Sequence, residues 1–239
     1  MNKPLKTRFA PTPSGYLHAG NGVSFIITWA LARTFDGSIL LRIDDLDAAR
    51  RRLEYLEDIF QTLNWLGLDY DEGASGVADF LQNYSQHTRL NLYNQALRKL
   101  QNLTTEHTHD LIYACRCSRR KIQETARNGI YPNTCRTAHI DLSAPDVAWR
   151  LRLPEGVKVI FSEWQKGLQT IDLEQVVGDF VVYQKNRLPA YQLASVIDDD
   201  FFGINFVVRG ADLLPSTAAQ IFISAHLEGS FFSKTPFSP

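Results

Sequence analysis

A chain of 239 residues that is 44% hydrophobic, 11% aromatic and 21% charged is long enough to bury roughly 70% of the surface its unfolded form exposes, which excludes intrinsic disorder, collagen and coiled coil. Its 25 Lys and Arg against 26 Asp and Glu leave a formal net charge of -1, so any polyanion must be met by a local patch rather than a global field. The longest apolar run, Val23 to Ala32, stops at Arg33, short of the roughly 18 to 20 residues of a spanning helix, and the N-terminal stretch lacks the apolar core of a secretory signal; the expectation is a cytoplasmic protein outside any membrane.

Thr7 to Ala10 reads as a short strand broken by Pro11 and Pro13, followed by a glycine-bearing turn from Ser14 to Gly22 and a helix from Val23 to Thr34. A second strand, Ser38 to Ile43, is expected to deliver Asp44, Asp45 and Asp47 to solvent at its end. Between Arg50 and Leu66 the apolar residues Leu53, Leu56, Ile59, Phe60, Leu63 and Leu66 follow a helical period, and Gly67 ends the helix. Leu90 to Leu103 is a further helix, with Leu92, Ala96, Leu97 and Leu100 on one side. Val147 to Leu153, Val157 to Phe161 and Phe180 to Tyr183 read as short strands, after which Ala190 to Val196, Asn205 to Arg209 and Leu213 to Leu227 resume the helix and strand pattern. Alternating strands and helices predict an α/β fold: a Rossmann-type parallel-sheet nucleotide-binding domain over 1–105 and 189–239, split by a β-rich insertion over 106–188. Ligands of such folds sit beyond the carboxyl ends of the strands, where the Ser14 to Gly22 turn lies.

All three cysteines, Cys115, Cys117 and Cys135, fall in one segment of that insertion. Clustered thiols in a reducing compartment point to metal, and structural zinc takes four ligands. Tyr131 and His139, each four residues from Cys135, are the in-segment candidates for the fourth, and histidine is the commoner ligand. Three reduced thiols in a small core remain the alternative. From Cys115 to Arg136, Arg116, Arg119, Arg120, Lys121, Arg127 and Arg136 face Glu124 alone, a basic stretch suited either to phosphates or to a solvated helix face.

The turn from Pro11 to Asn21 is neither a Walker P-loop nor a GxGxxG fingerprint. Gly20 permits close backbone approach, and His18 with the first free N–H groups of the next helix offers donors to a phosphate.

RFAPTPSGYLHAG, with His18-Ala19-Gly20-Asn21, resembles the first signature of class I aminoacyl-tRNA synthetases in the form used by the glutamyl branch. RIDDLD at Arg42 to Asp47 resembles that branch's RIEDxD, and VVRGADLL at Val207 to Leu214 its VRGxDL. Within the branch, Ser14 before Gly15, the CxC, thirteen residues, Tyr, three residues, Cys spacing and the lack of an anticodon-binding domain resemble the paralogue subfamily that attaches glutamate to queuosine. The resemblance implies a ligase that makes glutamyl-adenylate from L-glutamate and ATP with Mg2+, then transfers glutamate to queuosine in the anticodon of tRNA(Asp). It implies that His18, Gly20 and Asn21 hold ATP, and that Arg8, Ala10, Thr12, Asp44, Tyr191 and Arg209 hold glutamate. It further implies that Cys115, Cys117, Tyr131 and Cys135 bind structural Zn2+, in place of the chemical preference for His139. A monomer is expected.

Without those motifs, Arg8 and Arg209 read equally as structural partners of Asp198 to Asp200, and Tyr191 as a core aromatic. Two departures stand out. Asp44 replaces the family's Glu, shortening the ammonium anchor by one methylene. The KMSKS-type loop is expected beyond Pro239, with Lys234 too early to replace it, so a truncated product with strongly reduced adenylation is expected. A fragment of an ordinary glutamyl-tRNA synthetase and a non-catalytic glutamate- or tRNA-binding module are the competing readings.

Overall fold

In the computed structural model, residues 4–104, 110–126, 129–227 and 237–238 are described; Arg127 and Lys234 lie outside them. In chain order the longer elements are β1 (Lys6–Phe9), α1 (Ala19–Thr34), β2 (Ser38–Leu41), α2 (Leu53–Trp65), β3 (Glu72–Gly73), α3 (Val77–Asp79), α4 (Leu90–Gln101), β4 (Ile112–Cys115), α5 (Arg119–Thr125), β5 (Ala148–Leu151), β6 (Lys158–Glu163), β7 (Gly167–Asp172), α6 (Leu173–Val176), β8 (Phe180–Tyr183), α7 (Tyr191–Phe201), β9 (Val207–Val208), α8 (Leu214–Ala225) and β10 (Phe237–Ser238). No helix among the described residues is long and apolar enough to cross a membrane.

The chain divides into two compact units. The first comprises the described residues within Met1–Asn91, Gly203–Ala211 and Lys234–Pro239. There β1, β2 and β3 form a parallel sheet in that order, as the α/β reading expects. The backbone N–H groups of Asn205 and Phe206 donate to the Lys6 carbonyl at 3.0 and 3.1 Å, which brings the approach to β9 beside β1. Phe9, Ile39 and Leu41 from the strands, Phe25 and Ala32 from α1, and Leu56, Ile59 and Leu63 from α2 make one core. The spacing of the α2 residues is the helical one seen in the sequence; only Leu53, at the first turn, points outward at 61% exposure. Each fully buried Leu or Ile in such a core contributes roughly 1.5–3 kcal/mol.

Helix α1 begins at Ala19, four residues before the expected start at Val23. The reason is a reciprocal cap: His18 Nδ1 accepts the Gly20 N–H at 3.1 Å, and Asn21 Oδ1 accepts the His18 N–H at 3.1 Å. Two orphan donors are satisfied at once, so the two glycines at 20 and 22 are carried inside the helix. Gly67 terminates α2 with φ +69. Among the features unread in the sequence are the short strand β3, α3, and the π-helical turn Phe80–Tyr84 with the 3-10 turn Gln86–Arg89 that follows it.

The second unit comprises the described residues within Leu92–Phe202 and Asp212–Ser233. Strands β4, β5 and β8 form an antiparallel sheet, and β6 and β7 an antiparallel hairpin with Lys158 opposite Asp172. The β-rich character expected over 147–183 is therefore present, with β7 as the partner the sequence reading lacked. Helices α7 and α8 pack together, and Tyr93 Oη donates to the buried Asp198 carboxylate at 2.7 Å.

Gly73 sits at φ +114, and a Cβ there would meet the Leu41 carbonyl oxygen at 2.5 Å. Gly73→Ala should therefore destabilise the protein by about 1–3 kcal/mol, whereas Gly76→Ala, with nothing within 4 Å of its Cβ position, should stay within about 0.5 kcal/mol in thermal or denaturant unfolding.

Candidate active site and cysteine cluster

The cap that starts α1 also settles the chemistry of His18. Its Nδ1 accepts a backbone hydrogen bond, so in the neutral ring the proton resides on Nε2, which is left as a donor on an exposed side chain. Helix α1 has no acidic residue in its first turn, so its positive end is uncompensated and suited to phosphate. The turn itself is anchored by Asp58, whose Oδ2 accepts the Leu17 N–H at 2.8 Å. A Cβ at Gly20 would lie 3.0–3.1 Å from the His18 ring atoms, so this glycine makes room for the imidazole as well as for any ligand.

The ladder between β1 and β2 continues past the strand ends: the Arg42 N–H donates to the Phe9 carbonyl and the Asp44 N–H to the Pro11 carbonyl, each at 2.9 Å. Thr12, Ser14 and Asp44 consequently line one small cavity of about 70 Å³, together with Asp45, Asp47 and Arg50. Ala10, half-buried, lies between β1 and Pro11. Arg8 in β1 and Arg209 just after β9 are both buried, and Arg8 Nη1 reaches the Val208 carbonyl at 3.4 Å. Two buried guanidiniums thus stand at neighbouring positions of the first unit.

The acidic run is not delivered to solvent as the sequence suggested; only Asp47 is exposed. Both oxygens of Asp44 accept from Arg42, Nε to Oδ1 at 2.8 Å and Nη2 to Oδ2 at 3.0 Å. Asp45 is 1% exposed and accepts from Ser85 Oγ, the Gln86 N–H and Arg51 Nη1, each at 2.7 Å. Burying a carboxylate costs several kcal/mol unless it is so satisfied, and this is the physical reason that Arg42, Arg51 and the loop at Ser85 matter to the site. None of these partners carries a periodic or motif signal beyond Arg42 itself.

In the second unit, Tyr191 at the start of α7 is 42% exposed, which removes the core-aromatic reading. It lines a cleft of about 650 Å³ with Cys115, Arg119, Arg150, Gln184 and Lys185 among its walls. The three cysteines are free thiols whose sulfurs all lie within 4.8 Å of one another. The Tyr131 hydroxyl enters the same cluster, 3.3 Å from Cys115 Sγ and 3.8 Å from Cys117 Sγ, while Cys117 and Cys135 sulfurs are 3.6 Å apart. His139 is exposed and is not among the metal-ligating side chains that converge there. Tetrahedral zinc with Zn–S bonds near 2.3 Å and Zn–O near 2.0 Å spaces its ligand atoms about 3.5–3.8 Å apart; the Cys117–Cys135 pair at 3.6 Å and the Tyr131 contacts at 3.3 and 3.8 Å are near that spacing, and all three sulfurs lie within 4.8 Å.

Burial pushes the Cys117 thiol up. Cys135 ends lower: burial raises it, but hydrogen bonds from Tyr131, from backbone at Arg116 and from the other thiols outweigh that and bring it to about 7. The Tyr131 hydroxyl is raised by burial and by its Cys115 contact, so a cation is needed to make it a ligand.

Comparisons with known proteins give the family. The family model for class I tRNA synthetases (E and Q), catalytic domain, matches residues 4–232. The chain belongs to this class I synthetase family. It is thus an enzyme of the aminoacyl-tRNA synthetase type of ligase, and curated relatives of the same class are close in sequence. The Glutamyl-Q tRNA(Asp) synthetase of Burkholderia cenocepacia is 39% identical over 233 residues, covering 93% of this chain and 72% of the relative. That of Nitratidesulfovibrio vulgaris is 36% identical over 230 residues, covering 91% and 68%. Among solved structures, a glutamate tRNA ligase from Elizabethkingia meningosepticum in complex with its amino acid superposes with a TM-score of 0.79 at 22% identity, over 99% of this chain. This chain spans about half the length of that structure, 49%, and the likeness shows the synthetase fold.

In the metal-stripped protein the Cys135 thiol, at about 7 against an ordinary 9.0, adds stability that is full above pH 9 and is lost as the pH falls through 7. The unfolding temperature of chelator-treated protein should rise from pH 7 to pH 9, and Cys135→Ser should abolish that rise.

Proposed function

We propose that this protein activates L-glutamate with ATP and transfers it to queuosine in the anticodon of tRNA(Asp). The observation that carries the reading is the set of relatives bearing that name at 36–39% identity over about nine tenths of the chain. The first unit adds the charges such chemistry needs: buried Arg8 and Arg209 as cations for the glutamate side-chain carboxylate, and Asp44, beside Thr12, as the anion for its ammonium group. Ala10 borders the same site, and the resemblance to the family assigns Tyr191 to glutamate as well. Arg42 already donates to both Asp44 oxygens, so the ammonium contact shares them with the guanidinium, directly or through water.

ATP is held by the Nε2–H of His18 and by the start of α1, with Gly20 and Asn21 shaping the approach. The glutamate α-carboxylate oxygen forms a bond to the α-phosphorus as the bond to the bridging oxygen breaks, and pyrophosphate leaves with the electron pair. Donors already in place lower the barrier because no solvent must reorganise as charge moves. Magnesium, when bound, neutralises phosphate charge. In the second step a hydroxyl of queuosine attacks the acyl carbon, AMP leaves, and the hydroxyl proton passes to solvent or to the departing phosphate. Cys115, Cys117, Tyr131 and Cys135 hold a structural Zn2+ that ties β4 to the Tyr131–Cys135 loop. The reading implies a cytoplasmic protein.

The test is glutamate-dependent exchange of pyrophosphate into ATP by the full-length protein, with and without tRNA, followed by glutamate transfer to tRNA(Asp) that carries or lacks queuosine. Exchange without tRNA, and transfer only to queuosine-bearing tRNA, are expected. Arg209→Ala should raise the glutamate KM about 10- to 100-fold, as loss of a charge-assisted contact does, and His18→Ala should lower the exchange rate about 100- to 1000-fold. Transfer to a tRNA 3′ end would replace this reading with that of a glutamyl-tRNA synthetase, and glutamate binding without exchange would leave a binding module.

A further inference from the structure

Behind the cysteine cluster lies a second group of charges that the proposed reaction does not use. Asp179, 2% exposed, immediately precedes β8. Its carboxylate accepts from Tyr113 Oη at 2.7 Å and from the Leu153 N–H at 2.8 Å, and Arg136 Nε stands 3.3 Å away as an ion pair whose N–H is not aligned for a hydrogen bond. The Asp179 carbonyl accepts from Arg150 Nη1 at 2.7 Å. Each cation held in this way reaches one member of the cluster. Arg136 follows Cys135 in the chain, its side chain also donates to the Leu153 carbonyl, and its own carbonyl accepts from Arg152 Nη2 at 3.0 Å. The guanidinium carbon of Arg150 lies 3.6 Å from the centroid of the Tyr131 ring. The corner is tight: Gly178 has φ +64, and a Cβ there would meet Ile130, the neighbour of Tyr131, at 2.5 Å.

A buried carboxylate needs a cation and a few donors to be satisfied. Arg136, Tyr113 and the Leu153 N–H supply these, while the carbonyl of the same residue holds Arg150; the two arginines are thereby placed on the two residues, Cys135 and Tyr131, that approach the cluster from the loop rather than from the β4 side. Four anionic ligands around a divalent ion leave excess negative charge, which Arg136 and Arg150 oppose at short range, while the ring stack fixes the direction of the Tyr131 hydroxyl. We propose that Arg136 and Arg150, oriented by Asp179, are positioning residues of the metal site that set its affinity through Cys135 and Tyr131. The proposal rests on the reading of those four residues as zinc ligands.

The test compares wild type, Arg136→Gln, Arg136→Lys and Arg150→Gln by zinc competition against a chromophoric chelator, by the absorption of the cobalt(II)-substituted proteins, and by thermal unfolding of the metal-free forms. Outer partners of metal ligands typically contribute 10- to 100-fold in affinity. A loss of that size is expected in both Gln variants, with shifted cobalt bands and partial recovery in Arg136→Lys, beyond whatever fall in metal-free unfolding temperature the loss of an Asp179 partner brings. Zinc affinity within about twofold of wild type and unchanged cobalt bands in Arg136→Gln would overturn the proposal while leaving the ligands intact. A wild-type protein that binds no zinc would remove the ligand reading itself and the proposal with it. Should Arg150→Gln not fold, the half-buried Arg136 decides the matter.

Discussion

The parallel ladder between β1 and β2 does not stop where the strands do. Its last rungs, Arg42 to Phe9 and Asp44 to Pro11, hold two irregular segments in register and so bring Thr12 and Asp44 to one cavity. Arg8 is set by the same strand, and its link to the Val208 carbonyl places it one residue from Arg209. Two buried arginines and a buried carboxylate of one unit are thus positioned by hydrogen bonds to the backbone made by residues on either side of a crossover helix. Displacing that register by one residue would turn each of these side chains to the opposite face.

Buried charge is the second organising constraint. Asp45 and Asp179 lie almost wholly out of water in different units, and each is satisfied by a mixture of backbone N–H groups, hydroxyls and arginines. Such networks are strong when complete and costly when one partner is lost. They therefore act as clamps: Asp45 fixes the loop at Ser85 and Gln86 against the end of β2, and Asp179 fixes the loop that carries Tyr131 and Cys135 against β5. In each case a rigid sheet imposes its geometry on an irregular segment.

The cysteine cluster illustrates how burial and hydrogen bonding compete over the same atoms. Burial raises the Cys117 thiol and the Tyr131 phenol, yet Cys135 is lowered because the hydroxyl of Tyr131 and a backbone N–H point at its sulfur. The three thiols and the phenol converge heteroatom to heteroatom at 3.3–3.8 Å, and Tyr113, Ile122 and Ile140 pack around them. Histidine, the more usual ligand, is available at His139 but sits on the exposed side of the loop, in a left-handed conformation at φ 46.

Much of this was legible in the sequence. The helical spacing of Leu56, Ile59 and Leu63 reports α2 because burial on one face of a helix leaves that period; the glycine at 67 reports its end; and the clustering of all three cysteines reports a shared purpose. The start of α1 was placed too late because a His–Asn cap is a weaker signal than the glycines it overrides. The strand end was expected to expose Asp44 and Asp45 because sequence shows charge but not the partners that make its burial tolerable. The hairpin partner β7, the pairing of Arg42 with Asp44, and the hub at Asp179 join residues with little or no periodic signature, some of them far apart in the chain. Local periodicity and residue chemistry thus determined the elements, the α/β class and the candidate ligands. Only the tertiary structure decided which charges face one another and which are sealed from water, because desolvation and pairing depend on neighbours that the chain order does not reveal.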